Sequence, residues 1–339
     1  MKIFNKTLML LFVSLFILQS CNDDDNDTPI PEAVIPEIIT INSAGLYPGK
    51  FDFNPRNNHF VLGSLVKSEV GLVNPLTGEY TTFINDPNFA LVSGVRVDDA
   101  NNRLIIASGD FGFSNQSVGA GQVGYLGIYN LETGEKIAGV NLRDLTSSLP
   151  SMFPNDIAVD NNGNIYITDS LNPFIYKVDG TTFEATIWLD GGVDFDNVSG
   201  GAGLLAMNGL EFKDNFLIAA KTDSGELFKI PIDNPQGWYR IGGPLYPGMD
   251  GLKLDGNGNL LMAETGLGPV EGARIVRTED NWDSTIPVLL YEVEPDQFPT
   301  SVAIAQDGNA YVITSHLLEL TVHGNFNDDS FDIFRIPSL

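Results

Sequence analysis

The chain has 339 residues, 18 Lys and Arg against 44 Asp and Glu, and a formal net charge of −26. That balance excludes the basic footprint of a nucleic-acid binder and disfavours docking of the protein body on anionic lipid. A single Cys excludes a disulfide framework and a thiolate zinc cluster, while 43% hydrophobic residues with 35 Gly and 19 Pro suit a large, turn-rich core.

Residues 1–20 read as a signal peptide. Lys2 and Lys6 form a charged start, and Leu8 to Leu18 is an apolar run too short to span a bilayer. The run ends in Leu18-Gln19-Ser20-Cys21, which resembles a lipobox, so cleavage before Cys21 and lipidation of its thiol are expected. Losing the signal removes Lys2 and Lys6 and takes the charge from −26 to −28. Residues 21–36 then form an acidic tether, with Asn22-Asp23-Asp24-Asp25-Asn26-Asp27 directly after the Cys. This run resembles the surface-export signal of lipoproteins of the Bacteroidetes group. The expectation is an outer-membrane lipoprotein on the cell surface, with the periplasmic face as the alternative.

From residue 37 to 339 one short pattern recurs. Asn155-Asp156-Ile157-Ala158-Val159 leads through Asp160-Asn161-Asn162-Gly163-Asn164 into Ile165-Tyr166-Ile167. Asp250-Gly251-Leu252-Lys253-Leu254 leads through Asp255-Gly256-Asn257-Gly258-Asn259 into Leu260-Leu261-Met262. Further copies start at Gly49, Ser93, Asn208 and Thr300, so successive starts lie 44, 62, 53, 42 and 50 residues apart. Period-two alternation is a strand signal, and Asn-Gly or Asp-Gly between two such runs is a hairpin signal. A third strand such as Phe174 to Val178 and a fourth such as Ala185 to Leu189 follow each hairpin. The spacing predicts an all-β, six-bladed β-propeller with four antiparallel strands per blade. A pair of β-sandwiches is the alternative, and sixfold internal similarity argues against it. The alternating segment Pro36 to Ser43 is expected to pair with the last blade and close the ring. The long second interval leaves a Gly- and Ser-rich insertion, Phe111 to Gln122.

In a propeller, the residue before each innermost strand sits at one mouth of the central channel. Gly49, Ser93, Asn155, Asn208, Asp250 and Thr300 should therefore form a ring. Their amides, hydroxyls and carboxylate are hard oxygen donors suited to Ca²⁺ or Mg²⁺. The same residue types also serve loop-to-strand turns, where they bond backbone groups locally.

Pro154-Asn155-Asp156, Met207-Asn208-Gly209-Leu210, Met249-Asp250-Gly251-Leu252, Pro299-Thr300-Ser301 and Tyr311-Val312-Ile313-Thr314-Ser315 resemble successive motifs of the senescence-marker-protein/gluconolactonase (regucalcin-like) family. The resemblance covers about residues 45 to 339. It implies a divalent cation, most readily Ca²⁺, held by a Glu, Asn residues and an Asp, and polarising a lactone carbonyl. Carried over by position, Asn155, Asn208 and Asp250 are the metal ligands, and Asp250 also helps activate water. The family Glu falls on Gly49, beside Lys50, and the family's sugar-anchoring Arg falls on Phe153. The mouth is thus short of a carboxylate and more apolar, and gluconolactone is not expected as a substrate. Glu69 is the nearest downstream acid, in the outer part of the first blade.

Other signals read as structural. His59 lies in a turn, and His316, at the end of an inner-blade strand, is read as structural rather than as a general base. His323 carries no motif. Trp188, Trp238 and Trp282 read as packing aromatics. The Asp-rich hairpins lack the twelfth-position Glu of a calcium loop. Serine-hydrolase, zincin and phosphate-loop motifs are absent from the sequence. The expected protein is a monomeric surface propeller that binds a small molecule at the channel mouth. It either performs metal-assisted hydrolysis of a lactone or ester, or is a non-catalytic binding propeller whose metal site has decayed. A purely structural propeller in a surface complex is the third reading.

Overall fold

The computed structural model describes residues 34–197, 205–265, 273–279, 283–294, 297–321, 323–324 and 326–337. The signal segment, Cys21, the acidic run that follows it and Trp282 lie outside the described residues. Ile35–Leu339 forms one compact unit.

The fold is an all-β propeller with four antiparallel strands per blade. Strand β1 is Ile38–Asn42. The first blade holds β2 (Pro48–Asn54), β3 (His59–Ser64), β4 (Val70–Val73) and β5 (Tyr80–Ile84). The second holds β6 (Leu91–Asp98), β7 (Arg103–Gly109), β8 (Tyr125–Asn130) and β9 (Lys136–Asn141). The third holds β10 (Pro154–Val159), β11 (Ile165–Asp169), β12 (Phe174–Val178) and β13 (Ala185–Asp190). The fourth holds β14 (Met207–Lys213), β15 (Phe216–Lys221), β16 (Glu226–Pro231) and β17 (Tyr239–Arg240). The fifth holds β18 (Met249–Leu254), β19 (Leu260–Glu264), β20 (Ala273–Glu279) and β21 (Ile286–Val293).

These five blades are continuous meanders. A further sheet is composite. It takes β22 (Pro299–Ile304), β23 (Ala310–Thr314) and β24 (Ser330–Arg335) from the end of the chain, and β1 from its start. Ile38 pairs with Phe334 and Asn42 with Ser330 in an antiparallel register. The innermost strands contact one another in the order β2, β6, β10, β14, β18, β22, and β22 contacts β2. Apolar residues fill the spaces between neighbouring sheets. Phe51, Phe53 and Phe60 of the first blade, for example, pack with Tyr311 and Ile313 of β23, which removes that apolar surface from water.

The hairpins form for the reason their composition suggests. Gly163 adopts φ 80° and Gly258 φ 82°, a conformation that costs glycine nothing. Asp160 accepts hydrogen bonds from the backbone N–H groups of Asn162 and Asn164 and from the Asn164 side chain. Asp255 does the same with Asn257 and Asn259. These carboxylates hold turns, as the sequence reading has it.

Each of the six inner strands begins with a β-bulge, and each bulge contains the ring position. A bulge sets two residues opposite one and re-aims a side chain. In β14 the first bulge residue, Asn208, carries the side chain. The second, Gly209, must be small, because a Cβ there would lie 2.4 Å from the Asp250 carbonyl. In β2 the two are exchanged. Gly49 comes first, where a Cβ would lie 2.9 Å from the Val92 carbonyl and 2.7 Å from the Leu65 side chain. Lys50 follows and carries the side chain.

Candidate functional site at the channel mouth

That exchange decides which side chain meets the other ring positions. Lys50 is buried, with 4% exposure. Its Nζ lies 2.5 Å from Asp250 Oδ1, 3.3 Å from the Thr300 carbonyl and 3.5 Å from Asn208 Oδ1. Three expected ring members, Asn208, Asp250 and Thr300, are therefore brought together, around an ammonium from the neighbouring β2. Burial lifts the Asp250 carboxyl above its ordinary value, and the Lys50 charge and hydrogen bond pull against that lift. Asp250 is the only carboxylate among the ring positions, and it is already ion-paired.

The other ring members have different tasks. Ser93 Oγ donates to the Pro154 carbonyl at 2.6 Å, lacing β6 to β10. Asn155 Nδ2 donates to Ser170 Oγ at 3.0 Å, and Ser170 donates on to the Met207 carbonyl. Ser93 ties two blades directly, while Asn155 bonds within its own blade to Ser170, which makes the tie to β14. Gly49 offers no corner to the mouth, since its Cβ direction faces Leu65 and the Val92 carbonyl.

A divalent ion does not fit this donor set. Ca²⁺ takes six to eight oxygens at about 2.3–2.6 Å, with affinity set by the number of carboxylates. Here one carboxylate is present, and an ammonium sits 2.5 Å from it. No cluster of three or more His, Cys, Asp or Glu among the described residues could hold a metal.

Apolar groups gather on the neighbouring loops. Phe153 is buried and stacks on Phe111 of the insertion, with ring centroids 4.0 Å apart. Phe113, Leu171, Leu205 and Leu317 pack on the same cluster. The insertion is organised by Asp110, whose carboxylate accepts from the N–H groups of Gly112, Val118 and Gly119 and from Ser117 Oγ. Beside this cluster, an open cleft of about 410 Å³ is lined by Ala44, Gly45, Val66, Lys67, Phe113, Asn115 and Phe326. These residues follow a second strand or precede an inner or outer one, at the end of the blades where the inner strands begin.

Sequence reasoning missed the charges three residues after four of the six ring positions. Asp52, Arg96, Glu211 and Lys253 occupy this offset on β2, β6, β14 and β18, with Ala158 and Ala303 on β10 and β22. Arg96 Nη1 lies 2.7 Å from Glu211 Oε1, and Lys253 Nζ lies 2.7 Å from Asp52 Oδ1. Burial would raise the Asp52 carboxyl, but Lys253 and Arg96 together hold it below its ordinary value. The available signal was a sign-alternating charge at one fixed repeat offset.

The remaining sequence candidates are structural. His59 Nδ1 lies 2.7 Å from the Asn57 carbonyl within its own turn. His316 Nδ1 lies 3.1 Å from Asp328 Oδ2, and His323 Nδ1 3.0 Å from Glu319 Oε1. Glu69 accepts from the Tyr80 hydroxyl on β5. Trp188 packs on Tyr166, and Trp238 on Phe195 and Phe228.

Comparisons with known proteins agree with this architecture. A family model described as a beta-propeller repeat matches residues 143–168. No curated protein matches the chain. Among solved structures, the major allergen Mala s 1 of Malassezia sympodialis is 19% identical, with a TM-score of 0.67 over 90% of this chain and 98% of that one. A calcium-binding regucalcin from Agrobacterium tumefaciens is 17% identical, with a TM-score of 0.57 over 88% and 93%. A gluconolactonase from Xanthomonas campestris is 14% identical, with a TM-score of 0.57 over 88% and 89%. At these identities the likeness shows a shared propeller fold.

Proposed function

We propose that this chain is a cell-surface lipoprotein of the outer membrane, anchored through Cys21, whose propeller binds a small-molecule ligand on the mouth face without metal-assisted hydrolysis. The cyclic contacts of the inner strands and the pairing of β1 with β24 support a six-bladed ring closed by β1. The likeness to a regucalcin and a gluconolactonase supports descent from a lactonase-like ancestor. The observation that carries the binding reading is the Lys50–Asp250 pair, which takes up the one mouth carboxylate that a catalytic cation would need. The cleft between Val66, Phe113 and Phe326 offers a ligand apolar contacts together with the polar groups of Lys67 and Asn115, with the chain acting as a monomer.

The test is elemental analysis of the purified mature protein, together with thermal melts in Ca²⁺ and a panel of lactones and esters. The expected result is no stoichiometric divalent metal, no Ca²⁺-dependent shift of the melt and no turnover. A shift at micromolar Ca²⁺, with turnover that Asp250→Asn abolishes, would restore the hydrolase reading.

A further inference from the structure

We infer that the channel mouth is a built cation site whose resident ion is the Lys50 ammonium, and that the site, once vacated, accepts a small primary ammonium ion from solution. The inference rests on the reading of the mouth as metal-free, and it adds what the site recognises. Three oxygens from three inner strands converge on one point: Asn208 Oδ1 from β14, Asp250 Oδ1 from β18 and the Thr300 carbonyl from β22. A lysine ammonium has three donors and no acceptor, and each donor here meets one of these oxygens. Two of the partners are a neutral amide and a backbone carbonyl, so the arrangement is more than one ion pair.

The surroundings support the same reading. Lys50, Asn208 and Thr300 are 4%, 2% and 3% exposed. A charge so buried is retained only when it is paired and hydrogen-bonded. Thr300 Oγ1 is also buried and has no hydrogen-bond partner among the described residues. It is a further oxygen on a residue whose carbonyl already meets the ammonium. The stem of Lys50 enters from β2 because the bulge there exchanges the glycine and side-chain positions. The site thus belongs to β14, β18 and β22, and the cation is delivered by a different blade. A cage and its ion on separate strands can be separated by one substitution.

Lys50→Ala removes the ion and leaves the oxygens. Its melting temperature should fall by about 5–10 °C, as expected when one partner of a buried pair is lost in a domain of this size. Methylammonium chloride should then raise it in a saturable way, since a ligand that binds only the folded state stabilises that state. Tetramethylammonium at equal ionic strength, which has no N–H donor, should not. Lys50→Ala combined with Asp250→Ala should lose the response. A folded Lys50→Ala variant whose melt ignores methylammonium, or responds equally to tetramethylammonium, overturns the proposal.

If Lys50→Ala refolds only with methylammonium present, the proposal stands. If it refolds in neither condition, amine acylation of the wild-type protein decides, read by mass spectrometry. Lys50 should react far more slowly than Lys67, and Asp250→Asn should speed it. Lys50 labelling as fast as Lys67 overturns the proposal, as does slow labelling that Asp250→Asn leaves unchanged. Turnover of lactones by the wild-type protein would defeat the binding reading and leave the methylammonium result to stand or fall by itself.

Discussion

Arg96 on β6 crosses β10 to reach Glu211 on β14, donating from Nε to the Ile157 carbonyl on the way and from Nη1 to Glu211 Oε1 at 2.7 Å. Its Nη2 donates to the Leu210 carbonyl. Lys253 on β18 makes the corresponding reach across β22 to Asp52 on β2. The two links span alternate blades on opposite sides of the axis, so four inner strands are tied by buried charge. Arg96→Met removes the cation paired with Glu211 and lying 4.0 Å from Asp156, and leaves Glu211 only the weaker attraction of Lys253. The expected loss is about 3–5 kcal/mol, the cost of breaking a buried pair from one side. Arg96→Met with Glu211→Leu should recover much of it. Urea unfolding of the two variants measures both values, and equal stability of single and double variants would sink this account of the network.

Gly49→Glu looks like a repair of the missing family carboxylate, and the structure gives the opposite expectation. A Cβ at this position meets the Val92 backbone carbonyl at 2.9 Å, and the backbone cannot easily move because β2 and β6 are in contact. The substitution should destabilise by about 1–3 kcal/mol, the usual range for overpacking. Added Ca²⁺ should not offset the loss. A Gly49→Glu protein that melts at or above the wild-type temperature in Ca²⁺ would show that the side chain reaches the mouth after all.

These two cases mark what the sequence could and could not say. The strand pattern, the hairpins at Asp160 and Asp255 and the grouping of Asn208, Asp250 and Thr300 were legible, because period-two alternation and turn chemistry are local. The bulge was not. It inserts a second residue at the ring position, and whether the first or the second carries the side chain depends on which neighbouring carbonyl is close. That is why Lys50, noted in the sequence only as a nearby positive charge, proves to fill the site. Ser93 and Asn155 share the ring offset, yet their side chains bond the Pro154 carbonyl and Ser170. Long side chains such as Arg96 reach partners 115 residues away, and no local pattern reports that.

Asp86 should make a visible contribution to acid stability. Burial by itself would raise its carboxyl pKa. Hydrogen bonds from Lys136, the Tyr129 hydroxyl and Asn88 outweigh that effect and bring it from 3.8 to about 2. A carboxylate with a depressed folded-state value contributes stability that is fully present above its unfolded value and is lost as pH falls through the folded one. The window is therefore between about pH 4 and pH 2, and with solvent screening of the half-exposed Lys136 the effect is on the order of 1 kcal/mol. Asp86→Asn should lower stability at pH 7 and flatten its fall across that window. Denaturant melts at pH 7, 4 and 2.5 check this, and parallel pH profiles for the two proteins would refute it.

The export reading is tested separately from the fold, because Cys21 and the acidic run precede the compact unit that begins at Ile35. Cys21→Ala removes the thiol that a diacylglyceryl group would occupy, so the protein should leave the membrane fraction. Circular dichroism and the melting temperature of the purified body should stay unchanged, since the altered residue precedes the compact unit that begins at Ile35. Replacing Asp23, Asp24 and Asp25 with Ala keeps the lipid and removes three charges beside it. That variant should remain in the membrane fraction while moving from the outer surface to the periplasmic face. Protease shaving of intact cells separates the two locations, because only surface-exposed protein is cut. Equal shaving of the wild type and the triple-Ala variant would show that the acidic run is a solvated tether with no part in export. A Cys21→Ala protein that stays with the membranes would remove the lipid anchor and leave the apolar segment Leu8 to Leu18 as the attachment.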